Sequence, residues 1–136
     1  MGFYNAEKYI QRSILSVMSQ NFKDYKCYIT SDKSTDNSVD LVNQIIKNDE
    51  RFELVEDTDI KLYQTGNFDR NIRNNKEIDD NEVLVEVDGD DFLPDVNVLD
   101  RINNVYKDPN VWIANGSFQY ANSSPGFSQT CLLIRL

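Results

Sequence analysis

The sequence predicts an α/β protein, a mainly parallel sheet with helices on both faces. Two observations carry this fold class. Segments with a helical apolar repeat alternate with short strand-like runs along the chain, the pattern of βα units wound around a parallel sheet. Two acid-rich polar loops, 31–36 and 88–91, each follow directly on a strand-like run. In open sheets of this type ligands bind beyond the carboxyl ends of the strands, so both loops are expected on one edge. There is no internal repeat and no low-complexity segment.

The elements follow in order. Asn5 is a good N-cap residue, and the run after it reads as a helix to about Gln20. Ile10, Ile14, Val17 and Met18 share a face there, with Leu15 beside them. Tyr25 to Thr30 alternates and is rich in strand formers, and the polar cluster Ser31 to Asp36 ends it. That cluster supplies loop and helix cap together. A second helix carries Val39, Val42, Ile45 and Ile46 on one stripe, and Phe52 to Glu56 is a short strand. Residues 57–66 read as a loop and 67–77 as a polar, weakly amphipathic helix. Glu82 to Val87 is a strand ending in the second acidic loop. Asp95 to Lys107 is a helix with Val98, Leu99, Ile102, Val105 and Tyr106 facing inward. Val111 to Ala114 and Gln129 to Ile134 close the chain as strands, joined through the Pro/Ser-rich stretch 121–128.

Composition bounds the function. A chain of 136 residues with 40% hydrophobic content is one globular domain with a real core. With 23 acids against 14 bases its net charge is −9, which argues against nucleic-acid and anionic-membrane binding. No apolar run approaches the roughly 20 residues of a membrane helix. The start, Met1-Gly2-Phe3-Tyr4-Asn5, carries no secretory signal. The chain is therefore expected to be cytoplasmic, with any membrane association through other proteins. Cys27 and Cys131 sit in strand-like stretches and are expected as reduced core thiols. Asn115-Gly-Ser and Asn122-Ser-Ser match glycosylation acceptors, and without an export signal both are read as chance.

The run Leu84-Val-Glu-Val-Asp-Gly-Asp-Asp-Phe92 is the most chemically loaded. Carboxylates this close raise one another's pKa unless positive charge sits among them. A divalent cation supplies that charge, and hard oxygen ligands in a chain with no histidine point to Mg²⁺ or Mn²⁺. Gly89 is expected to let the backbone turn tightly so that Asp88 and Asp90 converge. The alternative is a solvated acidic turn. A helix-loop-helix calcium site is rejected for 32–43, because Asn37 and Asn43 stand where that scheme needs glycine and glutamate.

Three segments in order resemble glycosyltransferase family 2, which has the GT-A (Rossmann-like) fold. Tyr4-Asn5-Ala6-Glu7-Lys8-Tyr9-Ile10 followed by Ser16-Val17-Met18-Ser19-Gln20 is similar to the family's opening motif. Ser31-Asp-Lys-Ser-Thr-Asp-Asn-Ser38 is close to its Asp-Asp-Gly-Ser-Thr-Asp-Asn-Ser, and Asp88-Gly-Asp-Asp91 matches its Asp-x-Asp signature. Arg70-Asn71 falls where the family has an Arg-Asn helix. The resemblance covers essentially the whole chain, 1–136, as one nucleotide-sugar-binding domain. It implies a nucleoside-diphosphate sugar as donor, with Mg²⁺ or Mn²⁺ bridging the diphosphate to the protein. By that resemblance Asp88 and Asp90 serve the metal and the ribose, with Asp91 beside them. Asp32 accepts a hydrogen bond from the base, and Tyr4 stacks near it. Metal bridging offsets the charge that develops on the diphosphate leaving group. Tyr4 has a second reading, packing under the first helix. Asn71 has one as a cap or a bridge between loops. Arg70 reads as a surface residue, and Ser34, Thr35 and Asp36 as helix caps.

The chain departs from the family pattern in two places. Only Met1-Gly2-Phe3 precedes Tyr4, so the first strand is expected to be largely missing. That would leave neighbouring strand edges exposed, to be covered by a homo-oligomer or a partner chain. In the second motif Ser31 replaces the first acid and Lys33 the glycine. Inverting members carry their general base well after Asp-x-Asp, and no acid follows Asp108 here. The acceptor-binding C-terminal part is expected to be absent, and the base and the sugar, lipid or protein acceptor stay unassigned. Two functions follow: an inverting, metal-assisted glycosyltransferase, or a truncated nucleotide-sugar-binding module with weak or no catalysis.

Overall fold

The computed structural model describes residues 1–56, 60–75, 78–79, 81–119 and 125–135, without the side chains of 64, 115, 117–119 and 125–135. The elements are β1 (Gly2–Phe3), α1 (Ile10–Met18), β2 (Cys27–Ser31), α2 (Ser38–Ile46), β3 (Phe52–Glu56), α3 (Tyr63–Asn74), β4 (Val83–Val85), α4 (Val98–Val105), β5 (Ile113–Gln119) and β6 (Pro125–Arg135). Strand and helix alternate through α4, as the apolar periodicity predicts. The predicted stretches at 57–59, 76–77 and 121–124, and the acceptor residue Asn122, lie outside the described residues. None of the described helices is long and apolar enough to cross a membrane.

Strands β1, β2 and β3 form a parallel sheet in that order. Gly2 and Phe3 pair with Thr30 and Ser31, and β2 runs in continuous register with β3 from Cys27–Phe52 to Ser31–Glu56. A parallel bridge from Gly2 to Asp88 joins β1 to the segment after β4. On the far side β4, β6 and β5 are antiparallel. Strands β5 and β6, consecutive along the chain, pair as neighbours, with register shifts around Ser117. The chain therefore winds one way from β1 to β3 and lies the other way from β1 to β4. That reversal is a topological switch point.

Phe3, Ala6, Ile10, Ile14, Val17, Ile29, Val42 and Phe52 form one buried cluster. Each large aliphatic side chain in it contributes about 1.5–3 kcal/mol relative to exposure. The inward face of α1 is as predicted. Leu15, beside that face, is exposed, and so is Val105, which the sequence pattern placed inward in α4. Among the predicted inward residues of α4, Leu99 and Tyr106 are buried, and the Tyr106 hydroxyl accepts the Ala114 N–H at 3.1 Å. Cys27 is a free thiol packed against the core, and burial pushes its pKa up. Beside the two-residue β1, a cavity of about 580 Å³ is lined by Tyr25 and Cys27 of β2, Val83 and Val85 of β4, Ile72 and Leu99.

Two helix starts differ from expectation, and both for tertiary reasons. Asn5 does not cap α1. Its backbone is left-handed, φ 48°, and its side chain is drawn to the 34–35 loop instead: Thr35 N–H donates to Asn5 Oδ1 at 2.8 Å. Residues 6–9 form a tight turn, with the Ala6 carbonyl accepting from Tyr9 and Ile10 at 2.8 Å each, and the helix begins only at Ile10. Helix α3 begins earlier than predicted, at Tyr63, because the Asp32 carboxylate of a distant loop accepts its first N–H groups.

Candidate active site

The carbonyl ends of β1 gather both acidic loops. Phe3 O accepts the Asp32 N–H at 2.9 Å, and Gly2 O accepts the Gly89 N–H at 2.8 Å. The two loops therefore meet on either side of β1 at the carboxyl edge, as their positions after strands imply. Gly89 lies within the tight turn expected there, closed by the Asp91 N–H donating to Asp88 O at 3.1 Å, and its φ is an ordinary negative one. Its need is space: a Cβ there would lie 2.5 Å from Phe3 Cβ and 2.9 Å from Gly2 O, too close for any side chain.

On the β2 side, Asp32 is buried. Its Oδ1 accepts the Leu62 N–H at 2.8 Å and its Oδ2 the Tyr63 N–H at 3.1 Å. Helix N-termini leave such donors without intrahelical partners, and a carboxylate there also meets the positive end of the helix dipole. Burial alone would push the Asp32 carboxyl up. The hydrogen bonds from Leu62, the Asn67 side chain and Tyr63, with the charge of Lys61, outweigh it and hold the pKa below the usual carboxylate range. Asn67 is itself buried and accepts from Arg70 Nη2 at 3.0 Å. Arg70 is half-buried rather than a surface residue, because it supports the residue that supports Asp32.

Tyr4 is 50% exposed at the mouth of this edge, so it does not pack under α1. The Lys61 ammonium lies 3.3 Å from its ring centroid, a cation–π contact. Asn71 faces inward, donating from Nδ2 to Thr30 Oγ1 at 2.6 Å. That contact bridges α3 to β2. The cluster read as helix caps zips the 5–7 turn to the start of α2. Ser34 Oγ accepts the Asn5 N–H at 3.0 Å, Ser38 Oγ the Ala6 N–H at 2.9 Å, and Asp36 Oδ2 the Glu7 N–H at 3.1 Å. Asp36 also caps locally, taking the Ser38 N–H at 3.1 Å. Lys33, standing where the motif has glycine, holds a left-handed φ of 63°.

The β4 side is electrostatically different. Asp90 and Asp91 are exposed and Asp88 is half-buried. Burial and the neighbouring carboxylates of Glu86, Asp91 and Asp90 push the Asp88 carboxyl up to about 6. Burial and Asp90 also raise Asp91. Negative charge is concentrated here and only partly offset by the N-terminal ammonium, the condition a hard cation relieves. Among the described residues no three Asp, Glu or Cys side chains stand close enough to hold a metal alone, so the expected convergence of carboxylates is not a complete site. The donor set fits Mg²⁺ or Mn²⁺, which is commonly held by one or two carboxylates together with substrate phosphates.

Motif spacing did not single out Lys61, Glu86, Asn67 or Ser13. Lys61 is an ordinary surface-type residue in sequence, and only the fold sets it against Tyr4; Glu86 lies two residues before Asp88 in the acid-rich run. Residues 1–132 match the family model for glycosyl transferase family 2. The chain belongs to glycosyltransferase family 2. A Haemophilus influenzae protein described as an uncharacterized glycosyltransferase is 39% identical over 54 residues, 40% of this chain and 22% of that protein. Among solved structures, Staphylococcus aureus TarS 1–349 in complex with UDP-GlcNAc superposes with a TM-score of 0.78 at 17% identity. That match covers 93% of this chain and 35% of TarS 1–349. The mannosyltransferase PcManGT of Pyrobaculum calidifontis, in complex with GDP-Man and Mn²⁺, gives 0.77 at 16%, covering 98% and 42%. These likenesses establish the GT-A fold for this family 2 chain, which spans less than half the length of each of these relatives.

Proposed function

We propose that this family 2 chain binds a nucleoside-diphosphate sugar in the crevice between Tyr4–Asp32 and Asp88–Asp91, as the donor-binding part of a metal-assisted, inverting glycosyltransferase. The observation that carries the reading is the gathering of both acidic loops onto the carbonyls of Gly2 and Phe3, at the switch point where open α/β sheets bind ligands. Complexes of the structural relatives with UDP-GlcNAc and with GDP-Man and Mn²⁺ support it.

Asp88 and Asp90 would hold Mg²⁺ or Mn²⁺, with Asp91 beside them and the diphosphate completing the ligand set. The cation, when bound, supplies Lewis-acid stabilisation of the diphosphate leaving group. Tyr4 offers an exposed ring for the base. The Asp32 carboxylate, held ionised, accepts a hydrogen bond and donates none, which suits a base edge presenting an N–H. Lys61 adds the one positive side chain placed against Tyr4 in the described site. In the transfer itself the anomeric C–O bond breaks with its electron pair going to the diphosphate. The acceptor hydroxyl bonds to the anomeric carbon and loses its proton. No residue of this chain, which spans less than half the length of its relatives, is assigned to take that proton. A second reading is a donor-binding module that holds the nucleotide without turning it over.

Calorimetric titration of UDP, GDP, CDP and ADP, with Mn²⁺ and then with chelator, tests the site on wild type and Asp90→Ala. Metal-dependent binding that vanishes in the variant is expected. A folded protein that binds none of the four would sink the proposal. Hydrolysis of the matching nucleotide sugar then separates the enzyme from the binder.

A further inference from the structure

Helix α1 and the residue just past its C-cap present three polar side chains, Ser13, Ser16 and Gln20, to the loop that carries the acids. The single proton of the Ser13 hydroxyl is shared between the carbonyl of Gly89, at 2.8 Å, and that of Asp91. Ser16 Oγ accepts the Leu93 N–H at 3.0 Å. Gln20 Nε2 donates to Asp95 O at 2.7 Å, and its Oε1 accepts the Leu99 N–H at 3.1 Å. Ser13 and Gln20 are buried to 1% and 0% exposure. Beside them the Arg12 guanidinium lies 3.4 Å from the centroid of the Phe92 ring. A buried serine on an otherwise apolar helix face and a buried glutamine just past the helix demand partners, and every partner named here lies between residues 89 and 99.

We propose that Ser13 is a positioning residue for metal binding. By holding the carbonyls on both sides of Asp90, it fixes the direction in which the Asp88–Asp91 turn presents its carboxylates, while Ser16 and Gln20 anchor the rest of the loop. The inference rests on the donor-site reading above. Its physical basis is that two carbonyls joined through one buried hydroxyl cannot rotate independently. The backbone of Asp90 between them is thereby pinned. Without the hydroxyl, both carbonyls lose a buried donor and the turn is free to relax toward water. Second-tier contacts of this kind orient metal-binding side chains without touching the ion.

The test compares Kd for the preferred nucleoside diphosphate with Mn²⁺ and with EDTA. It uses wild type, Ser13→Ala, Ser13→Thr and Ser13→Cys, and Ser19→Ala as a control on the same helix. Ser13→Ala should lose about tenfold of the Mn²⁺-dependent affinity, the lower end of what such contacts contribute. Its metal-free affinity should stay within about twofold of wild type, because Asp32 and Tyr4 sit on the other loop. Ser13→Thr, which keeps the hydroxyl, should recover most of the loss, and Ser19→Ala should behave as wild type. A folded Ser13→Ala protein with the wild-type ratio of the two Kd values overturns the inference while leaving the donor site intact. If Ser13→Ala does not fold, Ser13→Cys preserves the size with a weaker donor, and an unchanged ratio in that variant overturns it equally. A wild-type chain with no Mn²⁺ dependence removes the donor-site reading and this inference together.

Discussion

Asp32 and Asp88 sit on either side of one short strand, at the same sheet edge, with opposite electrostatics. Asp32 is surrounded by donors: Leu62 and Tyr63 N–H groups, the Asn67 amide and the Lys61 charge. Asp88 is surrounded by acids: Glu86, Asp90 and Asp91. The first carboxylate is complete within the fold and helps build it, by capping α3. The second is kept in a state the fold alone does not favour. A carboxylate in the first situation contributes to stability; one in the second subtracts from it until a cation or a proton arrives. One edge thus combines a finished half, suited to shape and hydrogen bonding, with an electrostatically unfinished half suited to a divalent ion.

The contrast can be broken by mutation, and the largest effect is expected where the two loops share a support. Gly89→Ala forces a Cβ against Phe3 and the Gly2 carbonyl. A loss of about 3 kcal/mol, at the upper end of ordinary overpacking, should appear in urea unfolding, together with loss of Mn²⁺-dependent nucleotide binding. A Gly89→Ala protein as stable as wild type would mean that β1 and the acidic loop do not touch as described. Next in size is Asp32→Asn, which removes the charge from two backbone donors and should cost about 1–3 kcal/mol. Asp90→Ala, by contrast, should leave metal-free stability within about 0.5 kcal/mol, as for an exposed site. Equal losses in the two variants would erase the distinction between the loops.

The pH dependence sharpens the same point. Asp88 titrates near 6 in the folded chain, above the unfolded value of about 3.9, so the folded state binds the proton more tightly. Its stabilising contribution is fully present below the unfolded value and is lost as pH rises through about 6. The metal-free melting temperature should therefore fall between pH 5 and 7, an effect that Asp88→Asn flattens and Mn²⁺ reverses above pH 6. Asp32 has the opposite sign: its depressed pKa gives stability that is present above the unfolded value and disappears as pH falls below it. A melting temperature independent of pH from 5 to 7 in the metal-free wild type would rule out the strained state of Asp88. The smallest effect is expected at Lys33. A left-handed lysine costs roughly 1–2 kcal/mol, which glycine avoids at an entropic cost of its own. Lys33→Gly should stabilise by up to about 1 kcal/mol, and destabilisation in urea melts would show that Lys33 contributes contacts outweighing its backbone strain.

Much of this was legible in the chain. Periodicity fixed the alternation from α1 to α4, because each apolar face must be buried against a sheet and leaves its spacing in the sequence. The positions of Ser31–Asp36 and Asp88–Asp91, directly after strand-like runs, were enough to put both loops on one edge. The motifs of family 2 were legible as strings of residue types. What the spacing could not carry was any contact whose partner is distant in sequence. Asn5 looked like a helix cap and instead serves the 34–35 loop. The start of α3 looked like loop because its cap, Asp32, lies in another element. Gly89 reads as a turn glycine and lies in a turn, but glycine is needed there because Phe3 packs against it.

The sequence by itself determined the fold class, the edge at which the chemistry gathers and the family, since these follow from local periodicity and residue order. Tertiary structure decided which acid is satisfied and which is not. It also made Ser13, which no motif names, and the motif residues Ser16 and Gln20 into an anchor for the second loop. The reason is that pKa, cap and close approach depend on what surrounds a group in space. The partners of Asp32 and Gly89 come from elements tens of residues away, and although the acids around Asp88 are its neighbours in sequence, its burial is set by the fold.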